Sequence, residues 1–360
     1  MVDWLSSMSQ TYEFYEVDPG TWKDKSRIKT ITSARISRDL ESNTLETASF
    51  NTTEMRGECY IRVYLVVIQN GIKEKIALGT FLVQSPSKSF NGKVHSITMD
   101  AYSPLLELSD VKPPLGFTIM KNQNIMNNVA ALTMENLRAP VIKVTGVDKE
   151  MYVDFTAEAD ETWLEYLISA MQTAGYYYTL DEMGRVLFSP NQSTASLQPV
   201  WTYDDGNSSI LYPDITDDFD LYGVPNTVEV IYSGQDATGE TLILYSTAVN
   251  DNPDSPVSTV ARGRKVVYRE TSPSIDGIPN QEYLDLYADS LLKELSSVQH
   301  KISYSHGYCP VRYGDCVRLN YERAGIKNVK AKVITQDIDC TSGCKVTETA
   351  IYTTNLWKED

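Results

Sequence analysis

The feature that most constrains this chain is the period-two alternation of its last sixty residues, from His300 to Asp360. Ile302 and Tyr304 alternate with polar neighbours, then Val317, Leu319 and Tyr321, then Val329, Ala331 and Val333, and Val346 to Thr353 closes the series. Such a pattern fits short strands with one apolar face, and the breaks fall where strands must reverse. These are Tyr313-Gly314-Asp315, Arg323-Ala324-Gly325 and Thr341-Ser342-Gly343. Four strands of this kind need a surface to cover them. The run from Pro279 to Val298 offers one, because Leu284, Tyr287, Ala288, Leu291, Leu295 and Val298 form a single helical stripe.

The beginning of the chain, residues 1–110, also reads as all-β. Ile28 to Ile31, Ala34 to Ser37, Tyr60 to Ile68, Ile76 to Val83 and Lys93 to Tyr102 (through Val94, Ile97 and Met99) are expected strands, with Asn70-Gly71 as a tight turn. Between the two β-rich ends, residues 111–200 are mixed. A helix is expected over Asn124 to Leu137. A second is expected with Asp160 as its cap, Trp163, Leu164, Leu167, Ile168 and Met171 as its buried stripe and Gly175 as its stop. The hairpin Tyr176–Thr179 and Arg185–Phe188 follows around Asp181 to Gly184. From 201 to 360 strands return at Thr227–Tyr232, Thr241–Ser246 and Arg264–Arg269, before the helix and terminal strands. The expected fold class is α+β, mainly β: two antiparallel β-barrels, 1–110 and 201–360, bracketing a small α+β domain.

No apolar run reaches the roughly 18 residues of a membrane span, and Asp3 interrupts any early signal core, so no membrane span is expected. The net charge of −16 is uneven. Residues 1–140 carry 15 basic and 15 acidic side chains, 141–260 carry 3 and 20, and 261–360 carry 14 and 13. An acidic middle argues against a groove that grips nucleic acid, which needs clustered Lys and Arg, and suits solubility or repulsion of a polyanion.

Ile76-Ala77-Leu78-Gly79-Thr80-Phe81-Leu82-Val83, followed by a strand ending Asp100-Ala101-Tyr102-Ser103-Pro104-Leu105-Leu106, resembles the first domain of tailed-bacteriophage hub proteins. The late helix, then Tyr313-Gly314-Asp315-Cys316-Val317-Arg318-Leu319, the Gly325 turn and Val329 to Thr335, resemble their second, tube-like barrel. The resemblance implies a homotrimeric hub in the virion, at the tail tip or baseplate and assembled in the bacterial host cytoplasm. Three chains would present six barrels to the sixfold tail tube. Its implied partners are the tail tube and distal tail proteins, the tape measure protein and a central spike or fibre. DNA would pass through without specific binding.

Of the five cysteines, Cys59 reads as a buried small hydrophobe. Cys309, Cys316, Cys340 and Cys344 fall at strand ends beside turns, where four thiolates could hold zinc or an iron–sulfur cluster. Their spacing also resembles the four-cysteine iron–sulfur segment of lambda-type tail-tip proteins, which implies a [4Fe-4S] cluster. The alternatives are reduced thiols or disulfides formed after release from the cell. Asp214, Asp217, Asp218 and Asp220 lack the spacing of an EF-hand and read as a solvated acidic loop, as do Asp251 and Asp254. His95, His300 and His306 read as surface or packing residues. Glu158, Asp160, Glu161 and Glu165 cluster at a helix start, where carboxylates favour the dipole. No catalytic motif is present, so the expectation is a structural protein and not an enzyme, with a glycan-binding tail adhesin as the alternative and a cell-wall hydrolase behind it.

Overall fold

The computed structural model describes residues 2–90, 92–93, 95–142, 148–206, 209–235, 238–273 and 279–357. Val94, placed in an expected strand, lies outside them. The first β region holds β1 (Ser9–Val17), β2 (Asp24–Ile28), β3 (Ile31–Asp39), β4 (Glu46–Thr52), β5 (Tyr60–Gln69), β6 (Ile72–Phe90) and β7 (His95–Tyr102). The mixed region holds α1 (Leu106–Ser109), β8 (Thr118–Ile119), α2 (Ile125–Asn136), β9 (Phe155–Thr156), α3 (Trp163–Ala174), β10 (Tyr176–Leu180) and β11 (Val186–Pro190). Then come β12 (Trp201–Asp204), β13 (Leu211–Phe219), β14 (Thr227–Gln235), β15 (Thr241–Val249), α4 (Thr259–Arg262), β16 (Val267–Glu270) and α5 (Gln281–Leu295). The chain ends with β17 (Ser297–Gly307), β18 (Cys316–Tyr321), β19 (Ile326–Cys340) and β20 (Lys345–Asn355). The α+β, strand-dominated class follows directly.

The two β-rich ends are joined. One sheet runs β13-β17-β20-β19-β3-β4-β7-β6-β5-β1-β2, with β18 bridging β19 and β12. The junction is the antiparallel pair of β3 and β19, in which Ile36 faces Ile338 and Arg38 faces Gln336. Among the described residues no pairing closes this path into a ring. The chain divides into two compact units, residues 1–215 with 303–350, and 216–302 with 351–360.

In the first unit β5 is buried along both faces from Tyr60 to Val67, as a central strand covered on each side must be. Ile61, Val63, Leu65 and Val67 enter a core shared with Phe50, Phe81 and Ile338, while Tyr60 joins a second core under α2, α3 and the β10–β11 hairpin. The Asn70-Gly71 turn joins β5 to β6 with both residues at positive φ, 52° and 77°. Helix α3 is capped by Thr162 rather than by Asp160. Its side chain accepts from the Glu165 amide while Glu165 reaches back, a reciprocal box that Asp160 is placed too early to form. Gly175 ends the helix at φ 80°, as expected.

In the second unit α5 packs on β14 and β15 through Leu284, Ala288 and Leu292 against Val228, Val230 and Ala248. The expectation that it covers the four terminal strands is therefore corrected. A helical stripe announces that it is buried, but not against which of two sheets. Among the described residues no helix is long and apolar enough to cross a membrane.

Candidate functional site

Strands that bury one face normally place only apolar side chains in that phase. Four strands of the first unit break the rule at one position each. Arg38 follows Ala34 and Ile36 on β3, Glu46 precedes Ala48 and Phe50 on β4, Gln336 lies between Ile334 and Ile338 on β19, and Glu348 lies between Val346 and Ala350 on β20. All four are at most 2% exposed, and His306, beside Tyr304 on β17, is at 0%.

They meet in one buried network. Glu348 Oε2 accepts from Tyr304 (2.7 Å) and Tyr203 (3.3 Å) and lies 3.4 Å from His306 Nε2, while Oε1 accepts from Gln336 Nε2 (2.5 Å). Gln336 Oε1 accepts from Arg38 Nη1 at 2.9 Å, and Arg38 Nη2 donates to the Leu78 carbonyl. Arg38 Nε approaches Glu46 Oε1 at 3.6 Å, and Arg312 Nη2 donates to the same oxygen at 2.8 Å. Arg312 also donates to the Leu180 carbonyl at 2.7 Å and contacts Glu182 at 3.1 Å. The chain of contacts thus ties residues near the start, the middle and the end of the sequence.

The charges balance only if His306 is protonated: Arg38, Arg312 and His306 face Glu46, Glu182 and Glu348. Its surroundings agree, because Nδ1 lies 2.6 Å from the Gly307 carbonyl and Nε2 lies 3.0 Å from the Tyr203 hydroxyl and 3.4 Å from Glu348, so an imidazolium finds an acceptor at each nitrogen. Burial opposes the imidazolium, but Glu348 and the contact with Cys309 push His306 up to about 10. Burial likewise opposes the Glu348 carboxylate, and His306, Tyr304 and Gln336 still hold it below the usual range. Cys309 Sγ sits 3.2 Å from the Tyr203 hydroxyl and 3.9 Å from His306 Nδ1. Cys, His and Glu are the residue types of a nucleophilic triad, yet an imidazole with both nitrogens donating has no lone pair to accept a thiol proton. The arrangement braces the fold.

The other cysteines occupy different settings. Cys340 and Cys344 lie together in the core with Tyr308 and Val346. Burial and the proximity of its partner thiol hold Cys340 well above the usual thiol range, and burial pushes Cys344 up to about 11. Cys316, at the start of β18, turns its thiol to the Val317 carbonyl. Among the described residues no group of three or more His, Cys, Asp or Glu side chains is gathered as metal ligands. The four thiols as arranged do not fit a four-thiolate cluster.

Most of the acidic run is strand, not loop: Asp214, Asp217 and Asp218 lie on β13, and Asp220 just follows it. In the second unit Asp217 accepts from Tyr352 (2.7 Å) and lies 3.0 Å from His300 Nδ1, while His300 Nε2 meets Thr354 at 2.9 Å. The His300 ring stacks on Tyr352 and packs against Phe219. Two of the three histidines thus anchor hydrogen-bond groups, His306 a buried one and His300 one that reaches the surface at Asp217, and His95 stacks on exposed Phe90. Sequence reading missed the network of Arg38, Glu46, Gln336 and Glu348. The signal available was a polar residue standing in the apolar phase of each strand.

No protein-family model and no curated protein sequence matches the chain. Solved structures do. The 43 kDa tail protein of prophage MuSo2 from Shewanella oneidensis is 13% identical, with a TM-score of 0.60 over 95% of this chain and 98% of its own. A tail protein from Neisseria meningitidis MC58, also 13% identical, has a TM-score of 0.58 over 95% of this chain and 97% of that one. A Francisella PdpA–VgrG complex chain, 8% identical, gives 0.54 over 99% of this chain and 54% of that one.

Proposed function

With the fold of prophage tail proteins as premise, we propose that this chain is a structural virion protein: the trimeric hub of a phage-type tail tip or baseplate. The observation that carries the reading is end-to-end likeness, since the Shewanella and Neisseria tail proteins match over nearly all of both chains. Three copies would join the sixfold tail tube to a central spike or fibre and border the DNA exit channel. The tape measure and distal tail proteins would be its neighbours. The buried network supports a load-carrying role, because it braces the three sequence regions internally and its centre, from Arg38 to Glu348, is buried. The excess of 20 acidic over 3 basic side chains in residues 141–260 suits a protein past which DNA slides without sticking.

Native mass spectrometry of the purified chain, alone and with the tube protein of its tail, tests the proposal. The expected result is a trimer, formed alone or on the tube. A chain that stays monomeric beside the tube protein and retains glycans on an array would replace the hub with an adhesin.

A further inference from the structure

We propose that a groove beside Lys332 in the first unit binds a peptide segment that brings one carboxylate next to an apolar side chain. Two cavities of about 180 and 370 Å³ share Leu40, Gln172, Tyr176 and Tyr177 in their walls, so they adjoin, and we treat them as the two ends of one groove. Its smaller end adds the apolar Leu45, Ile168 and Met171 together with the polar Glu41, Ser42 and Asn43; its larger end adds Asn191 and Lys332.

Lys332 is only 8% exposed, on the face of β19 opposite Ala331 and Val333. Its ammonium lies 5.0 Å from the centre of the Tyr177 ring. Among the described residues it has no carboxylate partner, in a chain that carries 48 acidic side chains against 32 basic ones. A desolvated, unpaired ammonium is costly, and burial does lower its proton affinity. Nor is it alone. Lys330 lies two residues away on the same phase of β19, and Arg318 faces Lys330 across the β18–β19 pair. Lys330 donates to the Ala195 carbonyl, and Arg318 Nε is buried without a partner. A short basic row in an acidic protein thus ends at a groove whose far end carries an apolar strip, Leu45, Ile168 and Met171, with Glu41 at its edge.

The chemistry selects the ligand. One ammonium in a cavity wall that also carries Gln172 and Asn191 suits a monoanion, whereas a phosphate is normally met by several cations or an arginine fork. The apolar end offers room for an aliphatic or aromatic side chain, the usual division of labour in a binding pocket. The inference does not depend on the hub reading.

The probes are N-acetyl-leucine, its primary amide and inorganic phosphate, titrated against the full chain with ¹³C-methyl-methionine labels, since Met171 lines the groove. The expected result is that the acid shifts the Met171 signal, with affinity at least about tenfold above that of the amide, a 1.4 kcal/mol difference. Lys332→Met should abolish that preference while raising the melting temperature, and Lys332→Gln serves if the methionine variant misfolds. A silent Met171 signal, equal binding of acid and amide, or phosphate binding as tightly as the acid would overturn the proposal.

Discussion

Replacing Glu348 by Gln tests the buried network most directly, because the change keeps shape and removes only charge. Glu348 accepts from Tyr203, Tyr304 and Gln336 and faces the His306 imidazolium. Two routes give its magnitude. His306 moves from 6.5 to about 10 on folding, so at about 1.36 kcal/mol per pH unit the pair holds on the order of 4 kcal/mol at pH 7. Independently, removing one partner of a buried ion pair costs about 3–5 kcal/mol. The sign follows from the raised histidine: its stabilisation is complete below pH 6.5 and is lost as the pH rises through about 10. Calorimetry from pH 7 to pH 9.5 should therefore show the variant melting about 10 °C below wild type at pH 7, with the gap narrowing toward pH 9.5. A loss under about 1 kcal/mol, or a gap constant across that range, would show that His306 is not held as an imidazolium and refute the argument.

Other outcomes follow from single contacts. Leu292→Ala should cost about 2–5 kcal/mol in the second unit, read as faster amide exchange in β14 and β15, because Leu292 is fully buried between them and α5; unchanged exchange there would remove α5 as their cover. Gly184→Ala should destabilise by about 2 kcal/mol or more in urea, since Gly184 has φ 72° and an added Cβ would stand 2.6 Å from Thr80 Cβ. A wild-type midpoint would mean the hairpin turn can yield. Thr162→Ala should lose about 1 kcal/mol by breaking the cap of α3, whereas Asp160→Ala should change little. Iron and zinc per chain, measured by anaerobic native mass spectrometry, should be absent given the separate settings of the four thiols. One zinc or a four-iron mass that disappears in Cys344→Ser would reinstate the four-cysteine cluster.

Much of the local structure was legible in the sequence. The alternation of Val317, Leu319 and Tyr321 made β18, the stripe through Trp163 and Met171 made α3, and Asn70-Gly71 made the β5–β6 turn. These depend on period and turn chemistry, which act over a few residues. Strands β1 and β4 went unread because they mix polar residues into both phases, as in Ser9–Val17.

The candidate site divides along the same line. That Glu348, Gln336, Arg38 and Glu46 break the apolar phase of their strands is written in the sequence; that they meet is not. Their separations run to 298 residues for Arg38 and Gln336, and only the β3–β19 pairing brings them to 2.9 Å. The cysteines show the converse. Their spacing suggested one centre, whereas the fold gives Cys309 to the network, Cys340 and Cys344 to an apolar core, and Cys316 to the start of β18. The sequence by itself determined the strongly periodic strands and helices and the face each of them buries, because those depend on local periodicity and turns. Only the tertiary structure decided which buried faces and charges meet, because strand pairing joins residues whose separation along the chain carries no local signal.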